Sequence, residues 1–170
     1  MKNLVIRITH WCTLIARAAT GAAFLVIIGA VVLQLLGRSG MMKTVIWTEE
    51  LTRFALLWLT AFGAGLGLRS GDLVNVDILS ESLPGRFPWA FRLFGAAATA
   101  VFAFILIEPA QFFTKIGARQ TAPALGIHMN WVHAASLVML LVVGIFAALR
   151  VISMLVGAED GLPVTRTEED

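Results

Sequence analysis

Four apolar runs alternate with shorter polar stretches along the chain, and each run is long enough to cross a bilayer as a helix. Before the first run, residues 1–12 set Leu4, Val5, Ile8 and Trp11 against Lys2, Arg7 and His10. Positions 4, 8 and 11 share one helical face, which predicts a short lead-in helix lying on the membrane surface. The first span runs from about 13 to 36 and the loop 37–46 follows it, with Arg38 and Lys43. The second span, 47–68, opens on Trp47-Thr48-Glu49-Glu50-Leu51-Thr52-Arg53 and continues through Leu57, Trp58, Leu59 and Phe62 into Gly63, Gly65 and Gly67.

A polar connection over 69–88 comes next, where Asp77 is placed to cap a short turn that Pro84-Gly85 ends. The third span, 89–108, is opened by Phe87-Pro88-Trp89 and closed by Glu108-Pro109; its Gly95-to-Ala100 stretch has only small side chains. The connection 110–130 is long for a compact domain and holds Phe112, Phe113, Lys115, Arg119 and the run from Thr121 to His128. The fourth span runs from Trp131 to about 156, and the acidic stretch 158–170 is expected to be a disordered tail. The predicted fold is all-α: a four-helix transmembrane domain over 1–157.

Composition agrees with that pattern. Hydrophobic residues make up 58% of the 170 and charged ones 14%, against about 25% charged in soluble domains. Cys12 is the single cysteine, which excludes an intrachain disulfide and a Cys-x-x-Cys redox pair. The first run is too long for a signal-peptide core, and Gly37-Arg38-Ser39-Gly40 does not resemble a cleavage site, so the first span is expected to be retained. With a cytoplasmic N-terminus, the inner segments hold Lys2, Arg7, Arg17, Arg69, Arg86, Arg92, Arg150 and Arg166, and the outer loops hold Arg38, Lys43, Lys115 and Arg119. Eight against four favours both termini in the cytoplasm. Membrane lipid is the expected surrounding, and no nucleic-acid partner is expected.

The candidate chemistry gathers at the head of the second span. Thr48 is placed to cap the helix, and Glu49 and Glu50 fall in the first turn, where the helix dipole favours acids. Arg53 is four residues past Glu49 and three past Glu50, so the three can meet on one side. That cluster is a local ion pair that makes Arg53 tolerable, a polar contact docking the helix onto other protein, or, less in keeping with a span that has no further acid or amide deep within it, an ion or substrate site. Below it, Gly63 with Gly67 and Ala61 with Gly65 form small-xxx-small pairs, suited equally to packing within the chain or against another. Arg17 reads as a snorkelling anchor and Glu108 as an exposed terminal acid. His10, His128 and His133 lie outside the deep parts of the runs, and His128 and His133 fall on different helix faces, which disfavours a haem-binding anchor. No catalytic residue, metal ligand or cofactor is expected, and the chain does not read as an enzyme.

Trp47-x-Glu49-Glu50-x-x-Arg53 before a small-residue helix, then Arg69-x-Gly71 and Val76-Asp77, then Thr121-x-Pro123-Ala124-Leu125-x-Ile127 leading into Trp131, together resemble one family. It is the small membrane subunit (DctQ type) of the tripartite ATP-independent periplasmic, or TRAP, transporters. The chain departs from the family pattern at Leu73 (often His), at His128 (often Pro) and at Ser136-Leu137-Val138, where a Pro-Gly pair is common. The resemblance implies a bacterial inner-membrane scaffold without a substrate or ion site of its own. Its partners would be a large multi-span membrane subunit (DctM type) and a periplasmic substrate-binding protein (DctP type). Together they would import organic acids, such as C4-dicarboxylates, on a sodium gradient. Candidates for partner contact are Trp47, Glu49, Glu50, Arg53, Trp58, Gly63, Gly67, Pro123 and Trp131. The rival readings are a self-sufficient homo-oligomeric transporter or channel and, more remotely, a haem-binding anchor of a redox enzyme.

Overall fold

A computed structural model describes residues 2–40, 46–70 and 87–158. Five helices account for most of them: α1 (Lys2–Arg38), α2 (Trp47–Ser70), α3 (Phe87–Ile105), α4 (Ile107–Gly117) and α5 (Asn130–Leu155). Four paths are long and apolar enough to cross a membrane: α1, α2, α3 continued by α4, and α5. Lys43, the Asp77 turn, Gly71, Val76 and the tail from Glu159 lie outside the described residues.

The helices form an open row in the order α1, α2, α5, α3. Helix α2 packs against α1 and α5, and α5 packs against α3 and α4; α1 touches α5 lightly, and α3 meets neither α1 nor α2 among the described residues. Small side chains set the spacing. Lipid tails are as apolar as the helices, so association depends on close fit rather than on escape from water. Ala61, Gly65 and Leu68 of α2 are buried, and at Gly65 the neighbour is α5, where an added Cβ would collide with Val142 and lie 2.8 Å from Phe146 Cδ2. Gly144 of α5 meets Ala103 of α3, with only 3.3 Å between that side chain and an added Cβ. Ala16, Leu68, Ala100, Phe146 and Ala147 make the central cluster.

Three boundaries differ from those the sequence pattern predicts. The lead-in segment is not a separate surface helix: α1 is continuous over 37 residues, about 55 Å. No glycine or proline separates residues 2–12 from the run that follows, so nothing breaks the helix between them. The third span does not close at Glu108-Pro109. Pro109 has no N–H to offer the Ile105 carbonyl four residues back, and the helix is interrupted there. Leu106 keeps near-helical angles (φ −78°, ψ −7°), and Ala110 N–H donates to its carbonyl at 3.1 Å, so the path resumes as α4. Glu108 therefore sits exposed in the first turn of α4. The long 110–130 connection shrinks accordingly to 118–129.

What remains of that connection is a tight hairpin-like loop. Thr121 and His128 pair across it, Ala122 N–H donates to Ile127 O at 2.8 Å, and Met129 N–H donates to Gln120 O at 2.9 Å. Inside it a single helical turn closes with Gly126 N–H on Ala122 O at 2.9 Å. Gly126 ends the turn at φ +68°, in the left-handed region where a side chain is disfavoured.

Candidate functional site

The start of α2 is the meeting point of three elements. Its two acids point in different directions. Glu49 turns towards α1, where Gln34 Nε2 donates to its Oε1 at 3.1 Å and Arg38 lies 3.7 Å away. Both members of that ion pair are largely exposed, so the pair contributes little stability.

Glu50 turns the other way and is buried, with 8% of its surface exposed. Its Oε2 accepts the backbone N–H groups of Ala124 at 2.9 Å and Leu125 at 2.7 Å. These are the first free donors of the one-turn helix in the 118–129 loop, because Pro123 ahead of them has no N–H. Glu50 thus acts as an N-cap supplied by another helix from 74 positions away. Hydrogen bonds to a charged group contribute about 1.5–3 kcal/mol each, so this carboxylate is the main polar anchor of the loop.

The expected Glu49–Glu50–Arg53 cluster is not formed. Arg53 is exposed and has no hydrogen-bond or ion-pair partner among the described residues. The spacing rule that brings residues four apart together on a helix gave way to tertiary partners for both acids. Nor does Thr48 precede the helix as its cap. It lies in the first turn with none of its surface exposed, and its carbonyl accepts the Thr52 hydroxyl at 2.8 Å.

Of the other sequence candidates, Trp47 and Trp131 stand at the same end as the clamped loop, 39% and 65% exposed, as interfacial tryptophans do. Pro123 lies exposed within the clamped turn. Trp58, Gly63 and Gly67 lie deeper along α2. Trp58 stacks on Phe62 with ring centroids 5.9 Å apart. The two small-residue pairs separate: Ala61 and Gly65 pack within the chain, whereas an added Cβ on Gly63 would meet nothing within 4 Å.

Two further anchors were not read from the sequence. At the loop end, the His133 ring stacks on Phe113 with centroids 3.9 Å apart, and its Nδ1 lies 3.1 Å from Phe113 O. That bond needs the proton on Nδ1. The contact fixes α4 against the first turn of α5, and Gly117 allows it, since a Cβ there would lie 2.6 Å from His133 Nδ1. At the opposite end, Arg69 Nη1 donates to Thr13 Oγ1 at 2.5 Å and to Thr9 O at 3.3 Å, and Arg150 reaches Leu68 O at 3.5 Å. These cations sit at the carboxyl end of α2, where the helix dipole favours them. The signal for both anchors was present as Arg and His at run edges, but the partners are remote in sequence.

The described residues contain no group of three His, Cys, Asp or Glu placed to hold a metal ion. His10 stands at the opposite end of the row from His128 and His133.

Comparison with known proteins gives the family. The profile of the tripartite ATP-independent periplasmic transporters, DctQ component, matches residues 27–157. The C4-dicarboxylate TRAP transporter small permease protein DctQ of Rhodobacter capsulatus is 32% identical over 92 residues, which span 53% of this chain and 40% of that one. A Haemophilus influenzae protein named as a TRAP transporter small permease is 24% identical over 123 residues, 72% of this chain and 76% of its own length. A permease component of this kind is not an enzyme class. With four helices able to span a membrane and a family match over most of its length, the chain is a multi-pass inner-membrane protein that belongs to the DctQ component family of the TRAP transporters.

Proposed function

We propose that this chain is the accessory small subunit of a sodium-coupled TRAP transporter that imports organic acids. A large multi-span membrane subunit moves the substrate, and a periplasmic binding protein captures it. The small subunit braces the large one and presents the Glu50-clamped loop on the outer face. Both termini lie in the cytoplasm, as the bias of Lys and Arg favours.

The observation that carries this reading is the open row of helices. In α1 only 6% of the most apolar window is buried within the chain, and in the α3–α4 path only 17%. Faces of this extent, on helices held at one end by a polar clamp and at the other by arginines, suit a brace seated against more protein. The name of the R. capsulatus relative, a C4-dicarboxylate small permease, supports a carboxylate substrate for the assembled transporter.

The test is a tagged pull-down from native membranes in mild detergent, with co-purifying proteins identified by mass. Recovery of a large multi-span membrane protein supports the accessory role. Recovery of this chain alone in several detergents, together with sodium-dependent uptake of an organic acid by liposomes containing only this chain, overturns it in favour of a self-sufficient oligomer.

A further inference from the structure

Arg53 and Arg7 are the exceptions among the arginines of the long helices, and Arg7 precedes the first apolar run whereas Arg53 lies within the second. Arg17, Arg69, Arg92 and Arg150 each make a hydrogen bond or electrostatic contact within the chain, and Arg38 has Glu49. Arg53 has no such partner among the described residues and is exposed. The nearest acids on its own helix are engaged elsewhere, Glu49 by Gln34 and Arg38 on α1 and Glu50 by the loop. Its Cα lies about 9 Å below that of Trp47 along α2, at a depth where an uncompensated charge facing lipid is costly.

The face of α2 that carries Arg53 is also open. Leu56 and Leu57 follow it at helical spacing with 54% and 47% of their surfaces exposed. Thr60 comes next, exposed, with its hydroxyl turned back onto Leu56 O at 2.9 Å. Below it Gly63 leaves a notch, with nothing within 4 Å of an added Cβ. These positions fall on one stripe. α1 and α5 pack against other sides of α2, where Ala55, Ala61, Gly65 and Leu68 are buried.

We infer that this face of α2 receives a transmembrane helix of the large membrane subunit, and that a carboxylate near the outer end of that helix meets Arg53. The inference rests on the accessory-subunit reading and adds which face is used and what chemistry the partner brings. Charge complementarity selects the occupant. A guanidinium at this depth is stabilised by an anion, and this chain directs both nearby acids away from it. Leu56 and Leu57 supply the ridge and Gly63 the notch that a second helix needs for close approach. Lipid tails conform to any apolar surface and need neither.

The test places a photo-crosslinking residue at Leu57 or at Thr60, with controls at Leu25 on α1 and Phe102 on α3, which are 69% and 64% exposed. Each variant is expressed with its transporter partners and irradiated in native membranes. The expected result is an adduct with the large subunit from positions 57 and 60, mapping to a helix with an Asp or Glu within about one turn. Adducts from 25 or 102 alone overturn the face and leave the accessory role standing. Lipid adducts alone, or adducts to a second copy of this chain, overturn the proposed occupant. Recovery of this chain alone in several detergents, with sodium-dependent uptake by liposomes containing only this chain, overturns both readings.

Arg53→Lys, Arg53→Ala and Arg53→Glu add a chemical test that does not depend on crosslinking. Recovery of the large subunit should be kept by Lys, fall about tenfold or more with Ala, as loss of a charged hydrogen bond implies, and fall further with Glu. The isolated subunit should melt as the wild type does, because Arg53 has no partner within the described chain. Equal recovery with Ala and Arg would exclude the ion pair.

Discussion

At the residue scale, Glu50 shows how one side chain can hold a loop that is distant in sequence. Its carboxylate takes two adjacent backbone N–H groups from a turn whose preceding residue, Pro123, has none to offer. Truncating it to Ala orphans both donors, each at a cost of about 1–3 kcal/mol if they stay dry. Glu50→Ala should therefore release the 118–129 loop, seen as faster hydrogen exchange at Ala124 and Leu125 while exchange in the middle of α2 is unchanged. Glu50→Gln keeps an acceptor oxygen but loses the charge, so its effect should be smaller and of the same kind. Unaltered exchange in Glu50→Ala would mean that the backbone pairs at Ala122, Gly126 and Met129 hold the loop by themselves. A second residue-scale prediction concerns Gly117. A Cβ there would lie 2.8 Å from Asn130 N, a backbone atom with little room to yield. Gly117→Ala should lower the melting temperature of the purified subunit by forcing α4 off the Phe113–His133 stack.

At the element scale, the two small-residue pairs on α2 make opposite predictions from the same substitution. Gly65→Ala inserts a methyl against Val142 and Phe146 and should destabilise by about 1–3 kcal/mol, as overpacking does. Gly63→Ala meets empty space, and replacing a helical glycine by alanine there should be neutral or stabilising by up to about 1 kcal/mol in the isolated subunit. Thermal unfolding of the two variants in the same detergent checks the pair, and equal destabilisation would mean that Gly63 also packs within the chain. The sequence showed both pairs but not which one faced inward, because the choice depends on where α5 lies. The same limit explains the other differences. Apolar periodicity revealed four spanning paths, since it is local. It did not reveal that α1 runs unbroken from Lys2, because a change in amphipathic character does not by itself interrupt hydrogen bonding. Pro109 was legible as a punctuation mark. Its effect was a break followed by a new helix rather than an end, because the carbonyl it leaves unpaired lies four residues back and the chain beyond it remains helix-forming. Glu50 and Arg53 were legible as unusual charges, but their spacing suggested each other, whereas burial and paired N–H donors gave Glu50 a better partner.

At the scale of the whole molecule, side-chain levels locate the bilayer along the helices. Trp47 and Trp131 stand at one end; Arg69 and Arg150 stand at the other, each tied to a neighbouring helix. The rise from Trp131 to Arg150 is about 29 Å and from Trp47 to Arg69 about 33 Å, which matches a hydrocarbon core of about 30 Å. Arg69 meets α1 at Thr9 and Thr13, so the part of α1 before Thr9 extends past this slab on the side of the termini. On the other side α4 climbs to the edge of the slab, with Phe113 level with His133 and Gly117 level with Asn130, and the clamped loop follows it there, bound to the head of α2 through Glu50. Single cysteines in a Cys12→Ser background give a direct check with a membrane-impermeant maleimide on intact cells. A cysteine at Ala124 should label from outside, one at Ile6 or Ala158 should label only after the membrane is opened, and one at Leu57 should resist in both conditions. Labelling of Ala158 but not Ala124 on intact cells would invert the topology, and the loop held by Glu50 would then face the cytoplasm, where no periplasmic protein could meet it.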